Sequence, residues 1–535
     1  MKRCLAIPLF ILCNVFAFAD NYSTDNYRPT IDTVTIGKTS LPIVFIDTQY
    51  GTDSKHAIHK DYRIAVRMKI IDNADGVNYG DTTAHPNQHA DYEGWVAIRY
   101  RGNSSFNISL KKPFSFKTML TADVEGEKLK VSLMGMPKDH DWILLAPFTD
   151  RSMIRDALMF QLSRPFFDYT PRVRHCELVL DGVYYGIYVL TEKIRKGKNR
   201  LNLDDPGNEG DELTGGYHLQ IDRNDEPHYY TSTFPAVDSL GRKYSMYNRI
   251  YFQYKHPEYD EMTPEQLDYI NNQINSMETA LASDDFADQE NGYRKYMDTM
   301  SFIDQQLSQE VSCNVDAYRL STAIYKHRDS QDGRFKTALW DFNLAFGNCN
   351  FAGETRTDFW RYQNSFFTAT NCINKVPFWW MRLMEDSAYV NQLKMRWVEY
   401  RKTAYSLKHL DATIDSLANN LVSSGAIERN YTVWKVWNKE LWAVPNPMTV
   451  NTYDKEIAWL KDWLHERIAW MDEQLEFDKY RIISLERNID AYYIERNIDA
   501  YYNLKGMRLK ALPRQGIVIM RFKDGSKRKV IMRQR

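Results

Sequence analysis

The chain has 535 residues, of which 43% are hydrophobic, 14% are aromatic and 26% are charged. This composition is typical of a globular protein with one large domain or two to three smaller ones, and it excludes a disordered chain. The formal net charge of -1 gives no overall electrostatic reason to expect nucleic acid or an anionic membrane as a partner.

The N-terminus predicts export. Lys2 and Arg3 precede a short apolar run that ends in the small-residue site Ala17-Phe18-Ala19. These are the features of a cleaved signal peptide, so we expect residues 1–19 to be removed. The mature protein is then expected to be soluble, without a transmembrane helix, and secreted or located at the outer cell surface after passing through the periplasm. An uncleaved membrane anchor is the alternative, but the apolar run is short for a span.

The first part of the chain, from about 30 to 220, is rich in strand signals. One helix is predicted within it, with Asp150 as its N-cap. The predicted strands and this helix are LPIVFIDT, RIAVRMKII, GWVAIRYRG, KPFSFKT, ELVLDGVYYGIYVLTEKI and RSMIRDALMFQLSR. From about 260 to 480 the pattern is mainly helical. A strand-rich part followed by a helix-rich part predicts an α+β fold with two lobes.

One hairpin interrupts the helical part and brings two carboxylates together. The segments LSTAIYKHRD and RFKTALWDFN flank an Asp-Gly turn at residues 330–333. Pairing them about position 331 puts Asp341 opposite Ser321, with a register uncertainty of a residue or two, and Asp316 lies a few residues beyond the same end. Because a buried unpaired carboxylate is costly, the pair implies a cation, a partner base or protonation.

The triplet His327-Arg328-Asp329 spells a catalytic motif of protein kinases but falls at the hairpin turn. About ten strand residues at about 3.3 Å each place it roughly 30 Å from Asp341. We therefore interpret this spelling as coincidental.

Several blocks in order resemble the spore-coat protein H (CotH) kinase family over most of the chain. They are RYRGNSSF, KKPFSFKT, DWILLAPFTDRSMIRDALMFQLSR, LVLDGVYYGIYVLTEKI, GGYHLQIDR, NVDAYRL and WDFNLAFG. The resemblance implies an atypical protein-kinase-like fold over residues 20–480 and a cleft between its two lobes. It also implies transfer of the γ-phosphate of ATP to Ser or Thr of an exported protein, with Mg²⁺ or Mn²⁺ as the metal.

The resemblance also implies roles for individual residues. Asp316 matches the catalytic aspartate that orients the acceptor hydroxyl, and Asp341 matches the metal-binding aspartate. Ser321 stands where an asparagine commonly binds a second metal, and a hydroxyl is a weaker ligand. The predicted helix at 151–164 lacks the glutamate that pairs with the lysine in ordinary kinases.

Cofactor-binding residues are expected on and before the KKPFSFKT strand. The phosphate-binding lysine is Lys117 or Lys112, and Lys117 is favoured because it alternates with inward-facing phenylalanines. Arg101 and Ser104 belong to the preceding turn, which is expected to cover phosphate with backbone amides.

Each assignment has a structural alternative. Asp316 is also suited to capping a turn, and Asp341 to an ion pair with Arg319. Lys112 and Lys117 are also suited to solvated positions on a strand. The alternative for the whole protein is a non-catalytic surface, adhesion or carbohydrate-associated module on a kinase-like scaffold.

The four cysteines left after signal cleavage show no metal-binding spacing and are expected to be buried apolar residues: Cys176, Cys313, Cys349 and Cys372.

The C-terminus is expected to be a separate unit. The sequence ERNIDAYY occurs at 486–493 and again at 495–502, within a predicted linker over 481–502. Residues 503–535 predict three short strands and resemble the sorting domains of type IX secretion in Bacteroidetes. The resemblance implies contact with secretion machinery.

Overall fold

The structure is a computed structural model. It describes the following residues: 29, 33–50, 56–234, 249–351, 353, 355–363, 376–445, 449–482, 484, 498–504, 506–509, 516–522 and 527–532. The signal peptide expected at residues 1–19, the first ERNIDAYY copy and Cys372 lie outside the described residues. The expectations for these segments stay predictions.

Strands and helices follow in chain order. The strands are β1 (Lys38–Thr39), β2 (Ile43–Asp47), β3 (Ile64–Ile71), β4 (Asn78–Tyr79), β5 (Ala90–Tyr100), β6 (Phe114–Met119), β7 (Asp141–Leu145), β8 (Val173–Leu180), β9 (Val183–Glu192), β10 (Tyr217–Asp222), β11 (Tyr229–Thr231), β12 (Tyr251–His256), β13 (Thr322–Lys326), β14 (Phe335–Ala338), β15 (Ile498–Tyr502), β16 (Arg508–Leu509), β17 (Gly516–Phe522) and β18 (Lys527–Met532). The α-helices are α1 (Ser104–Ile108), α2 (Arg155–Ser163), α3 (Gly210–Leu213), α4 (Pro264–Ala282), α5 (Thr299–Ser312), α6 (Trp379–Leu383), α7 (Ser387–Lys402), α8 (Leu407–Ser423), α9 (Ala426–Val433) and α10 (Tyr453–Gln474).

The strand-rich part of the chain forms a closed seven-stranded barrel in the order β2-β3-β5-β6-β7-β9-β8. Its neighbours pair antiparallel except β2 and β8, which are parallel and close the barrel. Alternate residues such as Ile98, Phe114 and Phe116 are buried in its core, as the two-residue period of a strand requires. The strand positions predicted from the sequence are confirmed, whereas closure and β7 were not predicted.

A five-stranded sheet in the order β11-β12-β10-β13-β14 belongs to a second hydrophobic core. Leu219, Ile221 and Ile324 lie in this core together with apolar residues of the helices. Ala323 and Tyr325, on the opposite face of β13, are buried with Leu201 and Leu203 instead. Both faces of the central strands are therefore covered, and the mixed α+β class is confirmed.

Helix α2 begins later than its sequence pattern predicts. It starts at Arg155 with Ile154 as its N-cap, so the assignment of Asp150 as the N-cap is wrong. The Asp150 carboxylate instead accepts hydrogen bonds from the Arg155 backbone (3.0 Å) and from the Ser152 hydroxyl (2.6 Å). The buried Arg155 guanidinium also pairs with Glu456 of α10 at 2.9 Å. Residues 150–154 therefore form a turn that is hydrogen-bonded to Arg155, and the helix begins only after this turn.

The C-terminal strands form a separate four-stranded sheet in the order β16-β15-β17-β18. Its first strand lies in the second ERNIDAYY copy, so the sheet begins earlier and has one more strand than the three expected. Elsewhere in the described chain, Cys176, Cys313 and Cys349 are buried and unbridged. Within the described residues, no helix is both long enough and apolar enough to cross a bilayer.

Candidate functional site

Asp341 lies just after β14 and is hydrogen-bonded to Ser321, which lies just before β13. The Ser321 hydroxyl donates to Asp341 Oδ2 at 3.3 Å. The ladder pairs Ala323 with Ala338, which places Trp340 rather than Asp341 opposite Ser321, so the predicted register is off by one residue. Ser321 and Asp341 both have left-handed backbones, with φ of 49° and 66°. These conformations turn the two segments out of the ladder and allow the side chains to meet.

Asn314 connects the segments that carry the two predicted aspartates. Its side-chain oxygen accepts from the Asp316 backbone N–H at 3.1 Å. Its Nδ2 donates to the Asp341 backbone carbonyl at 2.9 Å. Asn314 is 2% exposed, so both bonds lie away from water. The structure thus brings Asp316 and Asp341 to one place through a residue that the sequence analysis did not select.

The Asp316 carboxylate forms an ion pair with Arg319 at 2.8 Å, and the Asp316 side chain remains 20% exposed. Arg319 also donates from Nε to the Val315 carbonyl at 3.0 Å. A partly exposed carboxylate held by an arginine suits a group that must contact an incoming hydroxyl.

Two further carboxylates, Asp222 and Asp156, lie beside Asp316 and Asp341 and were not selected from the sequence. These four carboxylates are called the acidic group below. Asp222, at the end of β10, accepts from the Ser321 backbone N–H at 3.2 Å. Asp156, in the first turn of α2, accepts from the Phe342 backbone N–H at 2.7 Å. Asp222 could have been found because, like Asp341, it is an acidic residue at the end of an apolar strand. Asp156 lies in the predicted helix at 151–164, which was considered only for a glutamate that pairs with the phosphate-binding lysine.

Crowding of these carboxylates changes their acidity. Burial raises the pKa of Asp341 to about 6, with the charge of Asp316 as the next cause, while Arg101 opposes the rise. Burial raises the pKa of Asp156 to about 7, with Asp341 as the next contributor. Both shifts have the causes expected when like charges are held together away from water. A cation placed among them would lower their energy.

The donor set fits a hard divalent cation. Carboxylate and hydroxyl oxygens are the ligand type that Mg²⁺ and Mn²⁺ prefer. Among the described residues, no three His, Cys, Asp or Glu side chains form a group that could hold a metal by themselves. Mg²⁺ commonly takes only one or two protein carboxylates and completes its shell with water and substrate phosphate. Asp341, with Ser321 beside it, therefore fits a metal that arrives with a nucleotide.

Arg101 supplies positive charge beside the acidic group. It follows β5, and its guanidinium lies over the Trp340 ring, 5.5 Å from the ring centroid. Burial lowers the pKa of Arg101, and Asp341 is the largest opposing influence. No hydrogen bond or ion pair to its guanidinium is found in the described part of the chain. An arginine fixed in this way is suited to a phosphate group.

The two candidate lysines have different surroundings. Lys117, on β6, lies opposite Asp141 of β7, and its pKa is lowered by burial. Within the described structure its ammonium has no ion pair. Lys112 is buried and donates to the Phe106 carbonyl, with its ammonium 4.8 Å from the Phe106 ring centroid. The Lys112 ammonium therefore holds the 101–106 segment through Phe106. Because Lys112 is engaged in this way, Lys117 is the better candidate for a phosphate-binding cation. The phosphate role of both lysines stays a prediction.

The segment 101–106, which follows β5, contacts the segment that follows β10 in the five-stranded sheet. Asn103 Nδ2 donates to Asp225 Oδ2 at 3.0 Å, and Asp225 also accepts from Gln253 at 3.0 Å. Ser104 begins the short helix α1 inside this loop. The contact joins a barrel loop to the segment after Asp222. The phosphate contact proposed for Ser104 remains a prediction.

The kinase-like triplet lies at the hairpin turn, as predicted. Arg328 pairs with Asp204 at 3.5 Å, and Asp329 pairs with Lys326 at 2.6 Å. Ser321 and Asp341 lie beyond the other end of β13 and β14. The triplet is thus separated from the acidic group by the length of the hairpin.

The sequence profile of the family described as CotH kinase protein matches residues 98–471. This range is well over half of the chain. The chain belongs to the CotH kinase protein family. The match begins within β5 and ends within α10, so it includes Arg101, both central aspartates and Asn314, and excludes the C-terminal sheet. No curated protein matches the chain.

Proposed function

We propose that the protein is a metal-dependent kinase that transfers the γ-phosphate of ATP to Ser or Thr of exported proteins. The observation that carries the proposal is the joining of Asp316 and Asp341 by Asn314, with Arg101 beside them, in a member of the CotH kinase family. These residues provide the three things that phosphoryl transfer needs, which are orientation of the nucleophile, a metal ligand and positive charge for phosphate.

In this proposal Asp341 and Ser321 hold the divalent cation, and Arg101 and Lys117 contact the phosphates. When bound, the cation supplies charge neutralisation on the transferring phosphoryl group. Asp316 accepts a hydrogen bond from the acceptor hydroxyl and takes its proton as the oxygen–phosphorus bond forms. The bond between the γ-phosphorus and the bridging oxygen breaks, and ADP leaves. The ion pair with Arg319 keeps the Asp316 carboxylate oriented.

The proposal includes a kinase-like arrangement in which the barrel and the helix-and-sheet region enclose the nucleotide. The contact between Asn103 and Asp225 supports a cleft at this boundary. It also includes action outside the cytoplasm, as expected from the N-terminal signal. The competing proposal, a non-catalytic surface module, needs neither nucleotide nor metal.

The test is transfer of labelled γ-phosphate to a generic Ser/Thr acceptor protein, together with Mn²⁺-ATP binding measured by calorimetry. We expect Asp341→Asn to abolish metal-dependent binding, because an amide cannot neutralise a metal charge. We expect Asp316→Asn to reduce transfer at least about a hundredfold while keeping most of the affinity. Asp329→Asn, at the exposed hairpin turn, is the matched control. Failure of folded wild-type protein to bind Mn²⁺-ATP would favour the non-catalytic module.

A further inference from the structure

The peptide group between Asp341 and Phe342 is held at both ends by side chains from two other segments. Its carbonyl oxygen accepts from Asn314 Nδ2 at 2.9 Å. Its N–H donates to Asp156 Oδ1 at 2.7 Å. Asn314 follows Cys313, the C-cap of α5, and Asp156 lies in the first turn of α2. One peptide group is therefore fixed by two parts of the fold that are far apart in sequence.

This peptide group follows a residue in an unfavourable backbone conformation. Asp341 has a φ of 66°, and a non-glycine residue in the left-handed region persists when its surroundings hold it there. Rotation of the peptide would redirect its carbonyl and N–H, so both side-chain bonds oppose that rotation. Without these bonds Asp341 could also leave its left-handed conformation, and a change in its φ would move the attached carboxylate relative to Ser321. The two bonds thus stabilise the orientation of the carboxylate as well as the backbone.

Both supporting side chains are themselves firmly placed. Asn314 is 2% exposed and also accepts from the Asp316 backbone N–H. Asp156 follows Arg155, whose guanidinium is buried between Asp150 and Glu456. Phe342 is fully buried in the hydrophobic core. The position of α2 is therefore transmitted to the peptide group through a short series of buried contacts.

We propose that Asn314 and Asp156 are positioning residues that form a clamp on the Asp341–Phe342 peptide and couple the placement of α2 to the direction of the Asp341 carboxylate. Neither side chain needs to touch the nucleotide or the metal for this role. The consequence for nucleotide binding depends on the proposed function. The clamp itself does not, because it concerns the protein alone.

Matched substitutions separate the two bonds. Asn314→Asp keeps the acceptor for Asp316 but removes the donor to the Asp341 carbonyl. Asp156→Ala removes the acceptor for Phe342, whereas Asp156→Asn keeps an oxygen that can accept the same bond. The control is Asn78→Asp, because Asn78 is also fully buried and bridges a backbone carbonyl and an N–H, those of Leu41 and Asn73, in a different part of the fold.

The first measurement is hydrogen exchange of the Phe342 amide in the metal-free protein, resolved by mass spectrometry of overlapping peptides. We expect Asp156→Ala and Asn314→Asp each to accelerate this exchange about fivefold to tenfold, the loss equivalent to one hydrogen bond. Asp156→Asn should restore slow exchange, and Asn78→Asp should leave it unchanged. Unchanged exchange in both Asp156→Ala and Asn314→Asp would overturn the clamp.

The second measurement is Mn²⁺-ATP affinity, with the melting temperature recorded for every variant. We expect Asp156→Ala and Asn314→Asp each to weaken Mn²⁺-ATP affinity about fivefold to tenfold. The double variant should lose less affinity than the product of the two single losses, because both hydrogen bonds hold one peptide group. Independent, multiplying losses would contradict the shared clamp. If the wild type binds no nucleotide, the proposed kinase function fails, while the exchange result still decides whether the clamp exists. If Asp156→Ala does not fold, Asn314→Asp still tests the clamp.

Discussion

Replacing Asp341 by asparagine is expected to stabilise the metal-free protein while it removes metal-dependent nucleotide binding. The burial of Asp341 raises its pKa from the ordinary value of 3.8 to about 6. At about 1.36 kcal/mol per pKa unit, this difference corresponds to about 3 kcal/mol. Asparagine carries no charge, accepts from Ser321 through its side-chain oxygen, and tolerates the left-handed backbone better than most residues. The variant therefore keeps the local geometry without the cost of a buried charge.

The expected gain depends on pH with a definite sign. The folded protein binds the Asp341 proton more tightly than the unfolded chain does, so the stability from this group is present below about pH 4 and is lost as the pH rises through about 6. Ionisation therefore costs the folded wild type about 2 kcal/mol at pH 5 and about 3 kcal/mol at pH 8. The advantage of Asp341→Asn should be larger at pH 8 than at pH 5.

Urea unfolding at the two pH values, with and without Mg²⁺, measures this advantage. Saturating Mg²⁺ with ATP should stabilise the wild type by mass action and leave Asp341→Asn unchanged, so the order of stability should approach equality or reverse. Asp284→Asn, at an exposed position, should bring no gain in stability at pH 8 and should keep the stabilisation by Mg²⁺ with ATP. A variant no more stable than the wild type at pH 8 without metal, or an advantage that is equal at pH 5 and pH 8, would refute this account of the Asp341 environment.

Three further outcomes follow from the structure. Arg101→Gln should weaken Mn²⁺-ATP binding about tenfold or more because it removes a charged phosphate donor, whereas Arg174→Gln, exposed on β8, should not; equal calorimetric affinities would exclude Arg101 as a ligand. Arg467→Met should lower the free energy of unfolding by about 3–5 kcal/mol, because it leaves Glu310 buried without its partner at 3.2 Å; a loss under about 1 kcal/mol in urea unfolding would contradict this. Deletion of residues 498–535 should leave the calorimetric melting temperature of the remainder within about 2 °C, and aggregation of the truncated protein would show that the C-terminal sheet supports the core.

The barrel shows which part of the fold could be predicted from the sequence and which could not. Alternating apolar residues located β3, β5 and β6, because this period is a local property of a strand. Closure depends on the parallel pairing of β2 with β8, whose residues Ile43 and Glu177 are far apart in the chain. No local pattern specifies that pairing.

The site was predictable to the same extent. The hairpin predicted that Asp341 and Ser321 lie at one end because an Asp-Gly turn and two flanking strands are local signals. The one-residue error in register arose because both residues leave the ladder in left-handed conformations. Asp156 and Asn314 could not be selected, since each acts by a hydrogen bond to the backbone of a segment distant in sequence. Backbone partners of this kind leave no pattern in residue type.

Departures from the usual rules of stability accumulate where function is proposed. Ser321 and Asp341 both have left-handed backbones, and the pKa values of Asp156 and Asp341 are raised first by burial and then by the charge of a neighbouring carboxylate. Each feature costs folding free energy, and none of them strengthens the hydrophobic core. Stability alone would favour amides at these positions, and the cation required by the proposed function would lower the same cost. The expected stabilisation of Asp341→Asn and its expected loss of metal binding therefore have a single physical cause, which is the removal of one buried negative charge.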